Sequence, residues 1–109
     1  MDKKREQVRE LNDAFRKSFV GGRVVLTADV QALEHVGRAK LLKAVQEFDD
    51  FSERNDPHRE HDFGAIDIGQ ERYFWKIDYY DPSLKLGSHD PSDPNITTRD
   101  MTIMHASEY

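Results

Sequence analysis

Apolar and polar positions change period several times along the chain, and each change predicts an element. Between residues 3 and 18, Val8, Leu11, Phe15 and Phe19 recur at spacings of three and four among Lys, Arg and Glu, the stripe of an amphipathic helix. Gly21-Gly22 follows and is expected to end it. Residues 23 to 28, around Val24-Val25-Leu26, predict a short strand with little alternation, expected at the sheet centre or buried on both faces. Asp29 can cap a following turn, and Leu41, Leu42, Val45 and Phe48 predict a second helix over about 34–48. Gly37 weakens its first turn, Asp49-Asp50 mark its end, and Phe51 is expected to fold back on the core.

The second half reads as strands. Residues 52 to 61 are polar, contain Pro57 and predict a loop. Residues 63 to 68 alternate and meet Gly69-Gln70, a hairpin turn into the most aromatic stretch of the chain, Glu71 to Pro82. Period two divides that stretch into a core face, Tyr73, Trp75, Ile77 and Tyr79, and a second face, Phe74, Lys76, Asp78 and Tyr80. Pro82, Gly87, Pro91 and Pro94 make the next segment a loop. A last strand runs from Thr97 to Met104, with Met101 and Ile103 on one face, and is expected beside Glu71–Tyr80. The expected fold is α+β, a small two-layer single domain over residues 1–109. Its order is α-β-α-β-β-β, with an antiparallel sheet packed on two helices.

Composition narrows the function classes. With 109 residues, 37% hydrophobic and 34% charged, the chain can bury one thin core under an ionic surface. No apolar run approaches the roughly 20 residues of a membrane span, and no apolar stretch follows the basic N-terminus, so a cytoplasmic protein without membrane attachment is expected. The absence of Cys excludes thiolate ligands and a cysteine nucleophile. The net charge of -5 is uneven: residues 1–55 carry 11 Lys or Arg against 10 Asp or Glu, and residues 56–109 carry 5 against 11. An acidic half disfavours nucleic acid and suits a protein partner with a basic surface. The basic residues of the first helix alternate with acids as helix ion pairs do, which argues against a DNA-binding face there.

Candidate chemistry gathers in two places. His58 and His61, with Asp56 and Asp62, could ligate a divalent ion, although His-x-x-His lacks the register of a helical zinc site. His61 beside Asp62 could act as a general base, and Asp78 and Asp81 could complete a carboxylate set. Neither pattern identifies a resident metal, so no cofactor is expected. The second place is the outer face of the aromatic strand, where Phe74, Lys76, Asp78, Tyr80 and the neighbouring Asp81 could bind a partner.

Gly21-Gly-Arg-Val-Val-Leu-Thr, Phe48-Asp-Asp-Phe, Glu60-His-Asp-Phe-Gly, Phe74-Trp-Lys-Ile-Asp-Tyr-Tyr-Asp-Pro and Thr98-Arg with Thr102-Ile-Met together resemble one family of small uncharacterised bacterial proteins. It is a domain of unknown function met mainly in alphaproteobacteria, often beside plasmid or conjugative-element genes. The resemblance covers nearly the whole chain; His58 and His105 stand outside its pattern. It implies no catalytic residue and a mobile-element setting. The expected function is therefore a non-catalytic protein-binding accessory module, an anti-defence inhibitor of the anti-CRISPR or anti-restriction type being one form. The alternative is a small metal-dependent hydrolase or nuclease using His61, Asp62 and Asp78.

Overall fold

A computed structural model describes residues 2–109. The elements are α1 (Lys3–Ser18), β1 (Arg23–Leu26), α2 (Ala28–Gln31), α3 (His35–Gln46), β2 (Phe63–Ile68), β3 (Glu71–Tyr80), β4 (Thr98–His105) and a final 3-10 turn (Ala106–Glu108). Asp2 starts α1 by accepting the Lys4 amide at 2.9 Å. The helix ends two residues before the glycine pair, because Phe19 itself takes the left-handed conformation and donates its N–H to Phe15 O. Gly22 serves packing instead. A Cβ there would stand 2.6 Å from Arg99 O and 2.7 Å from the Phe15 ring.

The four strands form one sheet in the order β1-β4-β3-β2. The hairpin is as expected, with a two-residue loop, Gly69 at φ +62° and Ile68 opposite Glu71. β4 lies beside β3, antiparallel to it. Two expectations are corrected. β1 is an edge strand, with Val25 39% exposed. It also pairs parallel to β4, so the sheet is mixed and not antiparallel throughout. The helical connection explains both: after β1 the chain crosses beneath the sheet through α2 and α3 and re-enters at the far edge. Only one face of β1 then meets the helix layer. Val24 and Leu26 pack on the core while Val25 looks outward, so an unbroken apolar run here marks one buried face, not two.

The element order also gains α2, a single turn whose Val30 is fully buried, and α3 is shorter than the sequence predicts. Phe15, Val30, Leu41 and Val45 from the three helices meet Tyr73, Trp75 and Ile77 of β3 and Met101 and Ile103 of β4. Each such burial is worth roughly 1.5–3 kcal/mol. All of it lies on one side of the sheet. The core face predicted for β3 is therefore the face that the helices cover, and the other face carries no helix.

Candidate functional site

Two regions come out of this arrangement. The first is the helix-free face of the sheet. Register places Phe63 of β2, Phe74, Lys76, Asp78 and Tyr80 of β3, and Thr98, Asp100, Thr102 and Met104 of β4 on it, with Arg23 and Val25 of β1 at the edge. Phe63 and Phe74 lie 5.3 Å apart, and Tyr109 stands edge-on to both. Asp78 directly opposes Asp100 across the β3–β4 ladder. Like charges in that position repel, and each carries a flanking cation: Lys76 reaches Asp78 at 3.1 Å, and Arg23 reaches Asp100 at 3.0 Å. The hydrogen bond from Lys76 to Asp78 raises the Lys76 pKa. Asp100 Oδ1 is nonetheless buried without a partner. Beyond the strand, Asp81 accepts from the Ser83 hydroxyl, which holds its carboxyl below the usual range and keeps it ionised.

The second region is a polar cluster where α1, the 52–62 loop, β3 and β4 meet. Asn12, fully buried, donates to Glu60 O at 2.9 Å and to Tyr79 Oη at 2.8 Å, and its Oδ1 accepts from Arg99 Nε at 2.8 Å. Tyr79 Oη in turn donates a hydrogen bond to Glu60 Oε1 at 2.9 Å. Burial pushes the Tyr79 phenol far up and the Arg99 guanidinium down. Asp56, 4% exposed, accepts the amides of Glu60 and His61, each at 3.1 Å, and so folds the loop about itself. His61 stacks on Phe51 at 3.7 Å, and its Nδ1 lies 2.8 Å from Asp13 Oδ1. That oxygen already accepts from Arg16 at 2.9 Å, so the shared hydrogen belongs to His61 Nδ1, and Nε2 turns toward Asp56 at 3.5 Å. Arg16 also lies over the Phe51 and Trp75 rings.

The sequence candidates divide between these regions. His61 belongs to the cluster, and Asp62 follows it with a carboxyl that burial, then Glu60, push upward. Asp78 lies on the other face of the sheet, so His61, Asp62 and Asp78 do not converge. His58 is exposed, and among the described residues no group of three or more His, Asp or Glu is arranged to hold a metal. Phe74, Lys76, Asp78 and Tyr80 do share one face, with Asp81 just past its end. Asn12, Asp13, Arg16 and Arg99 are the cluster residues that sequence reasoning missed. A signal existed: Asn12 and Arg16 fall among Val8, Phe15 and Phe19 on the buried side of α1.

The raised Asp62 carboxyl has a sign that can be tested. The folded chain holds this proton through a range where the unfolded chain has released it, so Asp62 favours folding least once pH passes its folded value. Asp62→Asn is expected to gain stability over wild type at pH 7 and to lose that advantage below about pH 4, read from urea midpoints at both pH values. A wild-type lead at pH 7 would contradict the desolvated carboxylate.

A family model described as Protein of unknown function (DUF3768) matches residues 26–108. No curated protein and no solved structure matches the chain.

Proposed function

This chain belongs to that family of unknown function, so its role rests on its own surface, and we propose that it is a non-catalytic protein-binding module. Its helix-free sheet face docks a protein with a basic surface. The carrying observation is the Asp78–Asp100 opposition at the middle of that face, with Asp100 Oδ1 buried and unpartnered. A Lys or Arg from a partner would reach the more accessible Asp78 carboxylate and screen the repulsion, turning a local cost of the free protein into binding energy. Phe74, Tyr80 and Phe63 flank the carboxylates with apolar area of the kind that anchors interfaces. The surroundings support the same sign. Of the five cations in residues 56–109, Arg99 is buried, Arg72 is paired with Asp67 and Lys76 with Asp78.

The family resemblance adds the mobile-element setting, in which such a module would act as an accessory or an anti-defence inhibitor by covering the basic surface of its target. Nothing in the geometry favours the hydrolase alternative, since its three residues occupy two faces.

Asp78→Asn separates binding from folding. Relieving the like-charge pair is expected to raise stability by roughly 0.2–1 kcal/mol. Partner affinity should fall about tenfold or more, because the acceptor for the incoming cation is lost. Tyr80→Ala should weaken binding similarly, whereas Lys40→Ala on the helix layer should not. Calorimetry on a partner captured from host lysate, with circular dichroism of each variant, makes the measurement. A partner that presents an acidic surface, or binding indifferent to Asp78 and Tyr80, would overturn the proposal.

A further inference from the structure

The two edges of the sheet differ. β1 is four residues long, and its outer side is partly taken, because the Gln31 side-chain amide donates to Leu26 O at 2.6 Å. β2 is six residues long and runs in unbroken register with β3 from Phe63 to Ile68. A bond from Ile77 N–H to Asp62 O fixes which of its residues face inward. Bonded and non-bonded pairs alternate along an antiparallel ladder, so Gly64, Ile66 and Ile68 direct their amides and carbonyls at β3, and those of Phe63, Ala65 and Asp67 point away from the sheet. Among the described residues nothing bonds to them.

Free edges are normally blunted by proline, lysine, a bulge or a covering element. β2 ends the strand order and has no proline, no lysine and no bulge. Its one charge, Asp67, is tied to Arg72 by bonds of 2.7 and 3.0 Å. The edge is therefore an open template, and its sequence selects the strand that fits it. Set antiparallel to itself about Ala65, the segment Phe63-Gly-Ala-Ile-Asp67 brings Ala65 against Ala65 of a second copy and Phe63 against Asp67. Every outward amide and carbonyl is then paired. Every other centre leaves at least one of the three outward residues outside the ladder, and a centre at Asp67 also opposes two carboxylates.

The side chains agree with that register. Alanine, the smallest of the outward residues, stands on the axis. On the helix side Ile66 falls opposite Gly64 of the second copy, a bulky residue against one with no side chain. On the helix-free side Phe63 falls opposite Asp67 and its bonded Arg72, whose guanidinium suits an aromatic neighbour. We propose that β2 pairs antiparallel with β2 of a second copy about a two-fold axis at Ala65, joining two four-stranded sheets into one. Their helix-free faces then continue across the join. A strand-edge contact is small, so a weak, concentration-dependent dimer is expected. The pairing uses the edge and not the helix-free face, so this proposal and the protein-binding one can fail separately.

Sedimentation equilibrium of the purified full chain between about 5 µM and 1 mM tests it, with a reversible dimer expected across that range. Ala65→Arg and Ala65→Asp each place like charges on the axis and should each weaken association at least tenfold, with the circular dichroism of the wild type retained. Mixed in equal amounts they should dimerise again through the Arg–Asp pair, a recovery that misfolded chains could not give. In the wild type, hydrogen exchange at the Phe63, Ala65 and Asp67 amides should slow as concentration rises, while exchange at Val24 on the opposite edge should not change. A chain that stays monomeric at about 1 mM, a dimer that survives both charge variants, folded variants that stay apart when mixed, or edge amides indifferent to concentration would each overturn the pairing.

Discussion

Asn12→Ala is expected to destabilise the protein by about 3 kcal/mol, more than an exposed helix position could, because three elements lose their tie to α1 at once. Asn12 is wholly buried, and its amide joins α1 to the 52–62 loop through Glu60 O, to β3 through Tyr79 and to β4 through Arg99. Alanine's better helix propensity returns only about 0.7 kcal/mol or less. Against it stand Glu60 O and the Arg99 Nε–H, each left without its partner at about 1–3 kcal/mol and partly relieved by relaxation or an entering water, while the Tyr79 hydroxyl keeps its bond to Glu60. Arg99 decides the outcome. It is a buried cation without a carboxylate in direct contact among the described residues: Nε rests on Asn12 Oδ1, and the other end of the guanidinium donates to Pro91 O. Burial already lowers its pKa, and losing the neutral acceptor leaves the charge less compensated still. Asn12→Asp gives the complementary measurement, since it keeps an acceptor for Arg99 but loses both donated bonds. Its stability should fall between wild type and Asn12→Ala in urea unfolding. An Asn12→Ala loss below about 1 kcal/mol would show that the cluster is not a cooperative network.

This network also shows what the sequence can and cannot disclose. Period two correctly separated Tyr73, Trp75 and Ile77 from Phe74, Lys76 and Asp78, because alternation is a local property of extended backbone. The Gly69-Gln70 turn was legible for the same reason. Parallel pairing of β1 with β4 was not, since it joins residues 77 apart through a crossover that leaves no mark in either strand, as Arg23 opposite Asp100 illustrates. His61 was singled out beside Asp62, its neighbour in sequence. Its real partner is Asp13, one α1 surface away and 48 residues earlier. Proximity in sequence misled there because the left-handed residue at 61 turns the ring away from the strand that Asp62 enters. The helix-free face fared better. Phe74, Lys76, Asp78 and Tyr80 follow from alternation alone, whereas the opposing Asp100 needed the register.

Gly64→Ala is expected to cost about 2–3 kcal/mol, although a β-strand position normally gains from replacing glycine. Gly64 stands opposite Trp75 on the buried side of the β2–β3 pair. An added Cβ would lie 2.3 Å from Trp75 Nε1, 2.7 Å from Cε2 and 2.8 Å from the tip of the Phe48 ring. None of these can retreat cheaply. Trp75 is fully buried, and Phe48 meets it edge-on at 5.4 Å and meets Phe51 at 5.0 Å, so a shift would pass to the Phe51–His61 stack. The same close approach accounts for the one indole N–H of the chain being buried without an acceptor: the backbone of Gly64 occupies the space a partner would need. Coupling therefore distinguishes this mechanism from a general loss of strand quality. Trp75→Phe alone should be destabilising, for it opens a cavity that outweighs removal of the unsatisfied N–H. In the Gly64→Ala background it removes the two nearest clashing atoms, so the double variant should be at least 1 kcal/mol more stable than the sum of the single changes implies. Recovery should stop short of complete, because the Phe48 contact persists. Strict additivity in the double-mutant cycle would mean that the Gly64 effect arises in the backbone and not against the indole.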